Sequence, residues 1–229
     1  MREVTEVEKL LYGLHDMMQK IGVDYAVCGG HAIDLFLGRK TRPHKDLDVA
    51  VFWEDRDQIV RHMLQLGWLV FEPYGGRYLH QIRNVTVQRK NRNNIWCVAP
   101  ENKHYKFSRR GKDLFAVRQD DMEQVELNFI EFLFSKQEGG CILYARNPII
   151  RMEMDRAMQA QEGIPCLAPA FVLLYKSTAL DNPNYRFDFQ NAIPHLKIEE
   201  LKWLNEALNT EYRGAHEWST EIHRLLERV

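Results

Sequence analysis

The chain has 229 residues, 45% hydrophobic and 28% charged, enough apolar material for one sizeable core or a core with a smaller companion. Its 31 basic and 32 acidic side chains nearly cancel, which excludes a disordered polyelectrolyte and a uniformly basic nucleic-acid coat. No apolar run approaches the roughly 20 residues a bilayer demands, and Met1-Arg2-Glu3-Val4-Thr5-Glu6 lacks the pattern of a secretory leader.

Leu10, Leu11, Leu14, Met17, Met18 and Ile21 recur at helical spacing, so a helix is predicted over Glu6–Ile21, stopped by Gly22. Residues 25–28, Tyr-Ala-Val-Cys, suit a short strand running into Gly29-Gly30. Residues 31–37 read as a short helix closed by Gly38, and a polar, basic linker occupies 39–45. Strand character returns over 46–52, and 53–66 carry helical periodicity ahead of Gly67. Further strands are predicted at 68–71, 78–82, 84–87, 95–98 and 125–134, with a hairpin or long loop over the basic segment 100–121. Beyond Pro169 the spacing is helical again, from Phe171, Leu174 and Tyr175 to Leu225 and Leu226, punctuated by Pro183, Pro194 and Gly214. Trp203 and Trp218 read as packing residues, and His195 and His216 as loop or cap residues. The fold class expected is α+β: a mixed sheet flanked by helices over 1–148, then a mainly helical domain over 149–229.

Three features converge on chemistry. Gly29-Gly30 lies between a strand and a helix, where glycine lets the backbone turn sharply and approach a ligand at the positive end of the helix. Asp46-Leu47-Asp48 opens an apolar strand, so the two carboxylates share one face and Leu47 takes the other. Such a pair repels unless a cation lies between them, and Mg²⁺, a hard ion that takes oxygen ligands and phosphate, suits it. A third acidic segment, Gln124-Val125-Glu126-Leu127-Asn128-Phe129, offers Glu126 as a metal ligand or a proton acceptor, with Glu131 competing for that place.

The run from Gly29 to Val49, with Gly-Gly, a helix carrying Asp34 and Leu35, Gly38-Arg39, Thr41-Arg42, His44 and Asp46-x-Asp48, resembles the nucleotidyltransferase superfamily. Its nearest likeness is to the aminoglycoside 2″- and lincosamide adenylyltransferases. The dense match covers about 21 residues. Thinner likeness continues through 57–67, through 164–169, and through Leu173-Leu174-Tyr175-Lys176 with Asp188 downstream. The resemblance implies ATP or another nucleoside triphosphate gripped at Gly29 and Gly30, Mg²⁺ held by Asp46 and Asp48 with Glu126 third, and attack of a substrate hydroxyl on the α-phosphate. His31, Arg39, Arg42, His44 and Lys176 are then candidates for binding phosphate, with Asp188 placed to orient Lys176. One departure stands out: the drug-modifying relatives commonly carry Asp in an Asp-x-His-Pro-like context where this chain reads Val125-Glu126-Leu127-Asn128.

Between Arg77 and Lys112 ten basic residues face Glu101 alone, a local charge of +9. Aminoglycosides are polycations, so such a stretch beside the cleft argues for a neutral, singly cationic or anionic acceptor. No aromatic-interleaved RNA motif accompanies it. The expected activity is transfer of AMP to a hydroxyl of a small molecule, with antibiotic resistance as a family expectation. A tRNA or protein hydroxyl, or an inactive nucleotide-binding module, are the alternatives. Cys28, Cys97, Cys141 and Cys166 lie 69, 44 and 25 residues apart, matching no metal knuckle or redox pair, so reduced thiols in a cytoplasmic protein are expected.

Overall fold

The computed structural model describes residues 5–85 and 92–227. In chain order it runs α1 (Glu6–Ile21), β1 (Tyr25–Val27), α2 (Gly29–Leu37), β2 (Asp48–Phe52), α3 (Arg56–Gln65), β3 (Leu69–Gly75), β4 (Tyr78–Ile82) and β5 (Asn94–Val98). Next come β6 (Tyr105–Arg109), β7 (Leu114–Gln119), β8 (Phe129–Ser135), β9 (Gln137–Glu138), β10 (Cys141–Leu143) and β11 (Arg151–Glu153). The chain ends with α4 (Met154–Ala157), β12 (Met158–Gln161), β13 (Ile164–Leu167), α5 (Pro169–Lys176), α6 (Pro183–Ala192), α7 (Ile198–Tyr212) and α8 (Glu217–Leu226).

Contacts divide these elements into two compact units. The first takes α1, β1 and the segment Arg42–Ser135; the second takes Cys28–Thr41, which contains α2, and the chain from Lys136 onward. This division differs from the boundary expected near residue 148. Helix α2 packs on α5 and α6, a tertiary preference that periodicity along the chain does not report.

In the first unit, α1 is nucleated by a capping box: Glu8 N–H donates to Thr5 Oγ1 at 3.2 Å and Thr5 N–H donates to the Glu8 carboxylate at 2.6 Å. It buries Leu10, Leu11, Leu14, Met18 and Ile21, and Gln58 of α3 donates to the Ile21 carbonyl at 2.6 Å. The sheet of this unit has the order β1-β2-β8-β5-β3-β4-β7-β6. Its pairings are antiparallel except β2 with β8, which run parallel. Val49, Val51, Ile95, Cys97, Ile130, Phe132 and Phe134 alternate onto one buried face. The opposite face carries an aromatic cluster of Phe71, Tyr105 and Phe129, against which Trp96, Phe107 and Phe115 pack. The basic segment 100–121 forms the β6–β7 hairpin at the sheet edge. Lys106 pairs with Asp120 at 3.1 Å, Arg83 pairs with Asp113 at 2.9 Å, and Arg109 lies over the Phe115 ring. Arg89 and Lys90 of the basic stretch lie outside the described residues, as does half of the strand expected at 84–87; Asn84 and Val85 are not in a strand.

The second unit is mainly helical beyond Pro169. Helix α5 packs on α6 and α7, and α7 on α8. Trp218 stacks on Phe189 with ring centroids 4.2 Å apart and Trp203 on Phe171 at 5.5 Å, so both serve packing. His216 caps α8 by accepting from the Trp218 N–H at 3.2 Å. Short strands that periodicity left unassigned precede the helices: a three-stranded sheet, β11-β10-β9, and the β12–β13 hairpin. Among the described residues no helix is long and apolar enough to cross a membrane.

Candidate active site

The acidic centre lies in the first unit. Leu47 is fully buried, so its neighbours Asp46 and Asp48 face the other way, Asp46 exposed and Asp48 half-buried. The strand begins at Asp48 rather than at 46, yet the approach to it is fixed. Gln119 donates to the Lys45 carbonyl at 3.2 Å, the Gln124 N–H to the His44 carbonyl at 2.7 Å, and the Glu131 N–H to the Leu47 carbonyl at 2.9 Å. Lys45 also forms an ion pair with Asp121. These ties hold Asp46 in place without ladder pairing of its own.

The partner of the aspartates is Glu131. It sits opposite Asp48 in the parallel β2–β8 register and opposite Trp96 in the β8–β5 register. Asp48, Glu131 and Trp96 therefore share one face of the sheet. Burial holds the Glu131 carboxyl above the usual carboxylate range. The Asn94 side chain, donating at 2.5 Å, and the nearby Trp96 indole N–H pull it back, while the charge of Asp46 pushes it up again.

Glu126 lies outside the paired strands. The strand expected over 125–134 starts at Phe129, and Glu126 falls in an exposed bend before it. That bend is made by Gln124, whose amide donates to the Glu126 carbonyl at 3.0 Å and the Phe129 carbonyl at 2.8 Å.

Three oxygen-bearing groups, one of them costly as a buried anion, form a donor set suited to a hard divalent cation. Among the described residues their oxygens do not lie gathered in one compact set.

Asn94, Trp96 and Tyr105 carry no signal in the motif reading. Tyr105 stacks on Phe129 with centroids 4.4 Å apart and meets Trp96 edge-on at 5.8 Å. Burial first, then the charges of Asp46, Glu131 and Asp48, raise its phenol well above the ordinary value, so it stays an O–H donor. The alternation of Asn94 and Trp96 with buried Ile95 and Cys97 was the available signal for β5; Tyr105 lay in the segment read only as hairpin or loop.

The second unit holds Gly29, Gly30, His31, Arg39 and Lys176. Helix α2 begins at the glycines themselves, and Gly29 has φ +65°, a left-handed conformation that side chains resist. Cys28 at the N-cap makes no side-chain cap to the first turn. His31 is buried in that turn. Asp34 is buried too, accepting from the Thr41 N–H at 3.0 Å and the Thr41 hydroxyl at 2.6 Å. The Asp34 and Thr41 of the signature thus lock the loop behind the helix. Arg39 is exposed and reaches Asn191 at 3.3 Å. Lys176 is buried, paired with fully buried Asp188 at 2.8 Å, and lies 4.6 Å from the Tyr185 ring centroid. In the first unit, half-buried Arg42 donates to the Pro43 carbonyl at 3.2 Å and His44 is buried.

Residues 10–72, spanning the glycines and both aspartates, match the family model of aminoglycoside-2″-adenylyltransferase. The solution structure of the antibiotic-resistance factor ANT(2″)-Ia superposes with a TM-score of 0.53 at 15% identity, covering 90% of this chain and 92% of that one. This is a nucleotidyltransferase fold. The crystal structure of ANT(2″)-Ia in complex with adenylyl-2″-tobramycin gives 0.50 at 14% identity, covering 89% and 99%. Lincomycin-bound lincosamide adenylyltransferase LnuA gives 0.49 at 16%, covering 83% and 97%. Compared with curated protein sequences, the chain has no significant match. The resemblance read from the signature residues is borne out over residues 10–72, and the expected mixed sheet with a helical C-terminal region by the fold.

Proposed function

We propose that the chain transfers a nucleoside monophosphate, AMP from ATP, to a hydroxyl of a small antibiotic-like molecule and releases pyrophosphate. The observation that carries this reading is the cross-strand placement of Glu131 beside Asp48, with Asp46 fixed next to them. The adenylylated tobramycin named in the ANT(2″)-Ia complex supports a hydroxylated acceptor.

Asp46 and Asp48 would hold Mg²⁺, with Glu131 as the third carboxylate. When bound, the ion neutralises charge on the α-phosphate and the leaving pyrophosphate. The proton of the attacking hydroxyl would pass to a carboxylate oxygen of this centre. The hydroxyl oxygen bonds to the α-phosphorus as the bond to the bridging oxygen of the β-phosphate breaks. The uncapped start of α2 offers N–H groups to phosphate. Tyr105, Phe107 and Arg109 alternate onto one face of β6, which brings positive charge to the carboxylate side of the sheet and disfavours a polycationic acceptor.

The test is a panel of hydroxylated antibiotics with ATP and Mg²⁺, read by pyrophosphate release and product mass. Asp48→Asn should lower turnover by ~10²-fold or more while leaving the circular dichroism unchanged. Undiminished turnover in that variant would overturn the assignment.

A further inference from the structure

One buried polar group beside the carboxylates has no part in the chemistry above. Tyr105 is 6% exposed, and its hydroxyl has no hydrogen-bond partner among the described residues. An unpaired buried hydroxyl costs ~1–3 kcal/mol. Phenylalanine would fill the same space between Phe129 and Trp96 without that cost, so packing alone gives no reason for the oxygen.

Its surroundings say what the oxygen faces. Tyr105 lies against Phe129, two residues before Glu131 on the same strand face, and against Trp96, the cross-strand partner of Glu131. The charged groups near enough to act on it are Asp46, Glu131 and Asp48. A cation gathered by those carboxylates would bring lone-pair oxygens to a donor that has none.

We propose that the Tyr105 hydroxyl positions an oxygen carried on the divalent cation held by Asp46, Asp48 and Glu131, whether a cation-bound water or a phosphate oxygen of the nucleotide. The inference rests on the nucleotidyltransferase reading and adds to it a donor outside the signature. The hydroxyl donates a hydrogen bond and transfers no proton.

Tyr105→Phe tests it, because the ring and its stacking remain. Two readouts are needed: thermal unfolding of the ligand-free protein, and calorimetric titration with Mg²⁺ alone and with MgATP. The expected result is an unfolding temperature equal to or above that of the unsubstituted chain, with binding about tenfold weaker, the loss of one hydrogen bond to a charged ligand. Loss in the Mg²⁺ arm identifies a cation-bound water as the partner; loss confined to MgATP identifies a phosphate oxygen. Equal affinity in both arms, in a protein whose binding Asp48→Asn abolishes, overturns the role of Tyr105 and leaves the enzyme reading standing. A lowered unfolding temperature shows that the hydroxyl serves the apo fold, and also overturns the proposal. If the unsubstituted chain binds neither probe, both readings fall.

Discussion

Asp48 and Glu131 are cross-strand partners on the parallel strand pair of the first unit. Because burial raises the Glu131 carboxyl, the folded chain binds a proton there more tightly than the unfolded chain does. Stability is therefore lost as pH rises from the ordinary glutamate range through the raised folded value. Glu131→Gln removes that slope and should raise the neutral-pH unfolding temperature, by roughly 2–4 °C for each kcal/mol recovered. The same change should abolish turnover. Glu126→Gln, in its exposed bend, should leave both unchanged. Melting curves from pH 4 to 8, beside the pyrophosphate assay, distinguish the two glutamates.

Lys176 and Asp188 form a buried ion pair between α5 and α6. Removing either partner strands a charge in the interior, so Lys176→Met or Asp188→Asn should each destabilise by about 3–5 kcal/mol. Replacing both with apolar residues of similar volume should recover most of that loss. Urea unfolding of the two single variants and the double variant checks the coupling; additive single effects would show that the charges act independently.

The Thr41 hydroxyl donates to the buried Asp34 carboxylate at 2.6 Å. Thr41→Val keeps the side-chain shape and removes that bond, at a cost of ~1.5–3 kcal/mol for a charged acceptor. Thr41→Ser should restore the stability. Thermal unfolding of both variants gives the answer directly.

None of the four cysteines is in a disulfide, and Cys28, Cys97 and Cys166 are buried while Cys141 is half-exposed. Burial pushes the Cys166 thiol up to about 11 and raises Cys97 further. Iodoacetamide at pH 7.5 should therefore modify Cys141 first and the other three only as the protein unfolds. Mass spectrometry of digests taken over time reads the order.

Much of this architecture was legible locally. The spacing of Leu10, Leu14, Met18 and Ile21 gives α1, the double glycine marks the start of α2, and the alternation of Asp46, Leu47 and Asp48 places two carboxylates on one face. Which of Glu126 and Glu131 lies across from Asp48 was not decidable from their neighbours. Val125 and Leu127 flank Glu126 with apolar side chains, the same alternation that flanks Glu131, and it is the hydrogen bonds of the fold, those of the Gln124 side chain to two carbonyls among them, that separate the bend from the strand. Tyr105 escaped for a related reason. Its alternation with Lys106 and Phe107 suggests a strand, but the face it presents depends on the pairing of β6 with β7. The two-unit division rests on α2 packing against α5 and α6, which lie more than a hundred residues along the chain.

In the first-unit sheet β8 lies between β2 and β5, although it is the last of that unit's strands to leave the ribosome. A nascent chain ending before Phe129 carries two half-sheets, each with an inner edge exposing unsatisfied amides and carbonyls. Until β8 inserts between them, the growing polypeptide is a substrate for chaperones and for edge-to-edge association. The strand that supplies Glu131 to the acidic centre is thus also the one that closes this window of vulnerability during synthesis.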